Sequence, residues 1–229
     1  MNTADLLIIE DDLDINRLLC TVLENAGCRC RAAFSGSEGL LWAEKYDYDL
    51  VLLDLMLPGI TGEEFIARVR HGKTMPIIVL SAKVGVADRV NVLKLGADDF
   101  IPKPFDNAEV LARVEAQLRR SRQFSLQKPR ALAAGPLSLD RESRAVTVSG
   151  REVSLTAREF DILALLLSNP CRAFSRAQIY ESVWGEDFLG DDNTVNVHVS
   201  NLRAKLARAD PDREYIKTVW GIGFKLAEL

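Results

Sequence analysis

Six side chains in the first half of the sequence can do chemistry together if the fold brings them to one place. They are Glu10, Asp11 and Asp12 in "LLIIEDD", Asp54 in "LVLLD", Ser81 in "PIIVLS" and Lys103 in "DFIPKP". Each group closes a short apolar run. Asp54 poses the sharpest problem, because Val51, Leu52 and Leu53 precede it and Leu55, Met56 and Leu57 follow it. A charge is seldom buried without a partner. Converging carboxylates repel one another and resist ionising, and a bound cation relieves that. Carboxylate oxygens with water suit the hard cation Mg²⁺, which keeps several waters and shares a phosphate ligand. A carboxylate is also a nucleophile toward phosphoryl groups. A metal, the Lys103 ammonium and the Ser81 hydroxyl would then neutralise and position the phosphoryl oxygens.

Taken singly, an acid at a strand end is more often a solvated loop residue or a helix cap. Asp11 or Asp12 can cap a helix that begins near Leu13. The conjunction of acids, hydroxyl and lysine at four strand ends carries the functional reading. "DDLDI" also resembles the start of a calcium loop, but the loop glycine and terminal glutamate are missing.

The elements that must position these groups follow from the pattern. Apolar runs at 6–10, 29–33, 50–54, 76–81 and 99–102 alternate with amphipathic stretches of helical length. Ser35 with Glu38 and Thr61 with Glu64 have capping-box spacing. Five strands alternating with five helices imply a parallel sheet covered on both faces, a flavodoxin-like doubly wound α/β layout with its site at the carboxyl ends of the strands. Residues 1–121 form this domain, and 122–134, lacking a clear period, read as a linker. From 135 to 229 the pattern changes to α+β. A small antiparallel sheet comes first, then helices at 157–168 and 176–184 opened by Thr156 with Glu159 and Ser175 with Gln178. A third helix runs from 194 to about 207, and a hairpin turns near Gly221–Gly223.

The two halves differ in charge, with a net of −5 over 1–120 and +1 over 121–229, which points to modules with different partners. No apolar run approaches the ~18 residues a membrane span needs. The first residues lack a basic start and long apolar core, so the expected location is cytoplasmic, with no membrane partner. The four cysteines form no CxxC pair and are expected as free thiols.

"LLIIEDD", "LLDLMLPGITG", "IIVLSAK" and "GADDFIPKPF" strongly resemble the receiver domain of two-component response regulators, over about residues 5–121. The resemblance implies that Asp54 accepts a phosphoryl group from a sensor histidine kinase. It implies that Glu10, Asp11, Asp54 and the Met56 carbonyl hold Mg²⁺. Ser81 and Lys103 take the phosphoryl-contacting and switching roles, Phe100 is the aromatic switch, and the Lys103–Pro104 bond is cis. It further implies a symmetric dimer through the fourth helix, fifth strand and fifth helix. There Arg89 would pair with Glu109, Asp99 with Arg113, and Asp98 with Arg120.

"SLTAREFDILALLLSNPCRAFSRAQIYESVWG", "NTVNVHVSNLRAKL" and "IKTVWGIGFKL" resemble the winged helix-turn-helix effector of the OmpR/PhoB subfamily, which binds double-stranded promoter DNA. In the third helix Val195, Val199, Leu202 and Leu206 form the core stripe, and Thr194, Val197, Asn201 and Lys205 lie roughly opposite. Thr194, Asn196, Val197, His198, Asn201, Arg203, Lys205, Lys217, Thr218 and Trp220 are the expected DNA contacts. Val197 suits a thymine methyl. Asn193, Asn201 and Trp220 stand where relatives often carry Arg, which lowers the basic charge. Trp184 is either core or a sugar–phosphate contact. The loop 185–193 corresponds to one that in relatives can touch RNA polymerase.

The function expected is a phosphorylation-controlled transcription regulator, a phosphoacceptor rather than a classical enzyme. A haloacid-dehalogenase-type phosphatase also uses an aspartyl nucleophile, but it wants a second Asp two residues on, where this chain has Met56. A phosphorylation-independent DNA binder with a receiver-like dimerisation domain is the alternative, and the intact set of pocket residues argues against it.

Overall fold

Strands β3 (Leu50–Asp54) and β4 (Ile77–Ser81) are buried along their whole length, which is why their sequences run apolar without alternation. They stand in the middle of a five-stranded parallel sheet with β1 (Asp5–Ile9), β2 (Arg29–Ala33) and β5 (Asp99–Pro102), in the order β2-β1-β3-β4-β5. Edge strand β2 alternates exposed and covered residues, so it tolerates Arg29 and Arg31. Helices α1 (Leu13–Asn25), α2 (Gly36–Lys45), α3 (Gly62–Val69), α4 (Val86–Leu95) and α5 (Asn107–Gln123) alternate with the strands. One core packs Leu6, Ile8, Leu52, Ile78 and Leu80 against Leu19 and Leu23 of α1 and Val110 and Val114 of α5.

This computed structural model describes residues 3–82, 85–123, 131–185 and 192–228. The chain divides into two units at Arg119/Arg120. Among the described residues, no helix is long and apolar enough to cross a membrane.

Thr61 and Glu64 form the complete capping box at the start of α3. The Ser35 hydroxyl accepts from the Glu38 amide, but Glu38 accepts from Phe34 N (2.8 Å) rather than from Ser35, so the second box is half made. Arg70, just after α3, ties several elements together. It donates to Gly96 O at the end of α4 (2.8 Å), to Met75 O (2.8 Å) and to Asp98 Oδ2 (2.8 Å). Asp98 Oδ2 also accepts from Ile77 N (2.9 Å).

In the second unit β6 (Ala131–Ala134), β7 (Leu137–Asp140), β8 (Val146–Val148) and β9 (Arg151–Glu152) form an antiparallel sheet in sequence order. Helices α6 (Ala157–Leu167), α7 (Arg176–Trp184) and α8 (Asp192–Ala209) and the hairpin β10 (Ile216–Val219)–β11 (Gly223–Leu226) complete it. Both expected capping boxes here are complete. The stretch expected as a linker is corrected at both ends. Helix α5 runs to Gln123, and 131–134 is a strand paired to β7, with Leu132 and Ala134 packed on the effector core. Its composition of Ala and a single Leu hid the alternation. Residues 124–130 lie outside the described ones.

Gly223 explains how the hairpin seats. Its φ is +153°, and a Cβ there would lie 2.0 Å from Phe174 O. The close approach lets Phe174 and Phe224 exchange backbone hydrogen bonds of 2.8 and 2.9 Å. The hairpin base is thereby fixed to the segment that leads into α7.

Candidate functional site

The parallel sheet delivers the acidic groups as its topology requires. Glu10 directly follows β1, and its amide donates to Ala33 O at the end of β2 (3.1 Å). Asp54 and Ser81 are the last residues of β3 and β4. Lys103 follows β5, and its amide donates to Ser81 O (2.8 Å). Glu10, Asp54 and Ser81 are buried, with Asp54 only 4% exposed.

The buried Asp54 carboxylate is held from two sides. Oδ2 accepts from Lys103 Nζ at 2.6 Å, and Oδ1 accepts from the Met56 amide at 3.0 Å. Lys103 Nζ also donates to Glu10 Oε1 and Oε2 at 2.9 and 2.7 Å. One ammonium therefore bridges two buried carboxylates. Burial pushes the Glu10 carboxyl up to about 7, against the lowering hydrogen bond from Lys103 and with further upward pressure from Asp54 and Asp11. Burial alone would lower the Lys103 ammonium, but its hydrogen bonds to Asp54 and Glu10 raise it on balance.

Asp12 settles the question of the cap. Its Oδ1 accepts from Asp14 N (2.9 Å) and Ile15 N (3.0 Å), which leaves Asp11 for the pocket. Carboxylate oxygens of Glu10, Asp11 and Asp54 lie within 4.8 Å of one another. Such an all-oxygen donor set fits Mg²⁺ and gives nothing a softer metal would prefer. Met56 is exposed beside the pocket, and no acid stands there for phosphatase chemistry. Phe100, on β5 beside β4, is buried, with the Arg89 guanidinium 5.9 Å from its ring centre. The Lys103–Pro104 bond is cis.

Two positioning residues escaped the sequence reading. Asn16 is buried in α1, and its Nδ2 donates to Glu10 O (3.0 Å) and Ala33 O (3.1 Å), locking the loop that presents the acids. Gly62 opens α3 so close to β3 that a Cβ would lie 2.5 Å from Asp54 O. An amide in mid-helix and a glycine after a cap carry no distinctive pattern.

The expected dimer residues Asp98, Asp99, Glu109 and Arg113 are engaged within the chain. Arg113 pairs with Asp99 (3.1 Å) and Glu109 (3.0 Å). The Asp98 side chain, expected to pair with Arg120, is wholly buried and pairs with Arg70 at 2.8 Å. The sheet edge draws it inward, where a guanidinium and a backbone amide satisfy it. The side chain of Arg120 lies outside the described residues.

In the effector, Val195, Val199, Leu202 and Leu206 are buried as expected. Three of the expected DNA contacts are buried. Thr194 and Val197 are 7% exposed and His198 is 1% exposed. His198 flanks the core stripe and sits 5.4 Å from the Trp184 ring, and Trp184 itself stacks on Tyr180 at 5.0 Å. Trp184 is therefore core. Val197, although opposite the stripe, gains by leaving water as any valine does. Two cations are committed. Lys205 Nζ pairs with buried Glu159 (2.6 Å), while Arg203 donates to Ile216 O and Thr218 Oγ1, both at 2.9 Å. Asn196 Oδ1 accepts from Arg176 (2.9 Å), and Asn201 is half-buried. Lys217 and Thr218 are exposed on the hairpin, and Trp220 at its tip is 91% exposed. Residues 186–191 of the loop compared with a polymerase contact lie outside the described ones.

Comparison with known proteins agrees with both halves. Residues 6–115 match the response regulator receiver domain, and residues 150–226 match the transcriptional regulatory protein C-terminal family. The transcriptional regulatory protein ResD of Bacillus subtilis strain 168 is 40% identical over 230 residues, covering 98% of this chain and 96% of that protein. The sensory transduction protein RegX3 of Mycobacterium tuberculosis H37Rv is 36% identical over 224 residues, covering 97% and 99%. Among solved structures, a RitR mutant superposes with a TM-score of 0.82 at 27% identity, covering 99% of this chain and 100% of that one. DrrB of Thermotoga maritima, described as an OmpR/PhoB homologue, gives 0.52 at 26% identity, covering 98% and 99%. With an acidic pocket at the carboxyl end of the sheet in its first unit and a winged helix in its second, the chain belongs to the two-component response regulators of the OmpR/PhoB type, transcription regulators built from a receiver and a DNA-binding domain.

Proposed function

We propose that Asp54 accepts a phosphoryl group from a sensor histidine kinase and that this modification controls dimerisation and promoter binding. The observation that carries the reading is the buried Asp54 carboxylate bridged by Lys103 to Glu10. An Asp54 oxygen attacks phosphorus while the bond from phosphorus to the donor breaks, and the donor group leaves with the electron pair. The Lys103 ammonium transfers its hydrogen bond from the carboxylate to a phosphoryl oxygen. The Ser81 hydroxyl, at the neighbouring strand end, donates to another. Mg²⁺, held by Glu10, Asp11, Asp54 and the Met56 carbonyl, would supply further neutralisation of the phosphoryl charge. The test is incubation with a small phosphodonor with and without Mg²⁺. A gain of one phosphoryl group on the peptide containing Asp54, only with the metal, is expected. Labelling at another residue would overturn the assignment.

The Glu10 carboxyl sets a pH dependence. Ligands must be deprotonated to bind metal. With Glu10 titrating at about 7, Mg²⁺ affinity should rise as pH rises toward about 7 and flatten above it. Titration calorimetry at several pH values reads this directly, and a flat profile from about 5 to 8 would contradict it.

Dimerisation is proposed through α4, β5 and α5. Arg113 already gathers Asp99 and Glu109. Arg113→Glu would crowd three acids there and should weaken a phosphorylation-favoured dimer about tenfold or more, since like charges across an interface cost several kcal/mol. Sedimentation with and without phosphorylation measures it. A dimer indifferent to both changes would rule this face out.

A further inference from the structure

The face that α8 turns outward is not the one its spacing suggested. Thr194 and Val197 are buried, and Lys205 is held by Glu159. Asn193, Ser200, Ala204 and Ala207 are exposed, and Asn196 is half-buried. These five recur every three or four residues and so share one stripe. At 3.6 residues per turn, that stripe lies about 100° round the helix from Thr194, Val197, Asn201 and Lys205. Its side chains carry no charge, but a cation reaches it from the neighbouring helix. Arg176, exposed at the start of α7, donates from Nε to Asn196 Oδ1 at 2.9 Å.

That bond fixes which way the Asn196 amide faces. A guanidinium has only donors, so the atom it meets must be the amide oxygen. The amide nitrogen, with two N–H groups, occupies the other arm. Arg176 has its two Nη groups beyond the Nε already used.

We propose that Arg176 and Asn196 act as one base-reading unit that selects guanine. The inference rests on the reading of α8 as the helix that enters the major groove of promoter DNA. In a helix-turn-helix the N-terminal part of the second helix contacts base edges, while the first helix crosses the backbone. Arg176 opens α7, and Asn196 lies near the start of α8. In the major groove guanine offers two acceptors, N7 and O6, and no donor. Adenine N6 and cytosine N4 are amino groups, and thymine has a single acceptor beside its methyl. A unit that presents N–H groups meets guanine without conflict and sets donor against donor at either amino group. A free asparagine behaves differently. It reads adenine in two places, with its oxygen accepting from N6 and its nitrogen donating to N7. Arg176 occupies that oxygen, which closes the adenine pairing.

Selection of bound duplexes from a randomised library, followed by sequencing, tests the unit. The full chain is used, treated with a small phosphodonor and Mg²⁺. The wild type should fix guanine at one position of each half-site, about fivefold to a hundredfold over other bases. Asn196→Asp keeps an acceptor for Arg176 but has no N–H to give. At that position guanine should fall and cytosine, whose amino group donates, should rise. Arg176→Ala frees the amide oxygen, and the same position should change to adenine. Because the bond lies at the surface, both variants should melt with the wild type. Selection without the phosphodonor, at higher chain concentration, should return the same bases, which separates this reading from that of Asp54. A mere tie between the helices would weaken binding to all sequences alike and change no base. Guanine retained by both variants, or a wild-type half-site without guanine, therefore overturns the proposal. A wild type that binds DNA without selecting any sequence removes the major-groove reading of α8 and the unit with it.

Discussion

Asp54→Asn should abolish the mass gain of one phosphoryl group when the chain is treated with a small phosphodonor and Mg²⁺. The carboxamide that replaces the carboxylate carries no negative charge, and its nitrogen lone pair is delocalised into the carbonyl, so it is too weak a nucleophile to attack phosphorus. The substitution is close to isosteric and leaves one side-chain oxygen, so a hydrogen bond like that from the Met56 amide to Oδ1 (3.0 Å) can persist. Lys103 keeps Glu10, whose two oxygens it already meets at 2.9 and 2.7 Å. The loss therefore reports on the nucleophile and not on a collapsed pocket, provided the melting temperature does not fall. It should not fall, because one of three clustered carboxylates has been neutralised. Labelling of the variant at the wild-type rate would mean that another residue accepts the group. The Asp54 cluster would then be a metal site alone.

How much of this was legible in the sequence depends on whether a feature is local. Strands β3 and β4 announced themselves because full burial demands apolar residues at every position. The capping residues did so because a hydroxyl three positions before a carboxylate is a local device, and three of the four boxes closed as spaced. The fourth shows the limit, since Glu38 can reach one residue further back, to Phe34 N, with equal ease. Strand β6 was missed because its pattern resides in backbone pairing to β7 rather than in its small side chains. On α8, helical spacing gave the core stripe correctly but did not foresee the covering of Thr194, Val197 and His198. Spacing tells which way a side chain points, and exposure depends on what covers it. The pocket was legible because a parallel sheet turns sequence position into spatial position. The bridge from Lys103 to both Glu10 and Asp54 depended on where the Lys103 ammonium would come to rest, which spacing does not give.

The Asp98 partnership marks the same boundary, and it predicts the largest loss of stability. Arg70→Met should destabilise the first unit by about 3–5 kcal/mol, because it takes a guanidinium away from a buried carboxylate. Asp98 is 0% exposed, and apart from Arg70 Nη2 its Oδ2 meets the Ile77 amide at 2.9 Å. The same guanidinium holds Gly96 O at the C-terminus of α4 and Met75 O before β4, so the methionine removes a C-terminal cap as well. For a unit of this size the melting temperature should drop by roughly 10–20 °C. Joining Asp98→Leu to Arg70→Met should recover most of the loss, since an apolar pair of similar volume replaces buried ions at little net cost. The pair also constrains assembly. With Asp98 turned inward, Asp98→Asn should reduce stability while leaving a phosphorylation-favoured dimer at its wild-type strength. If instead Arg70→Met costs under about 1 kcal/mol, the carboxylate has another partner within reach. Asp98 would then be available to a second copy of the chain, as the family resemblance implied.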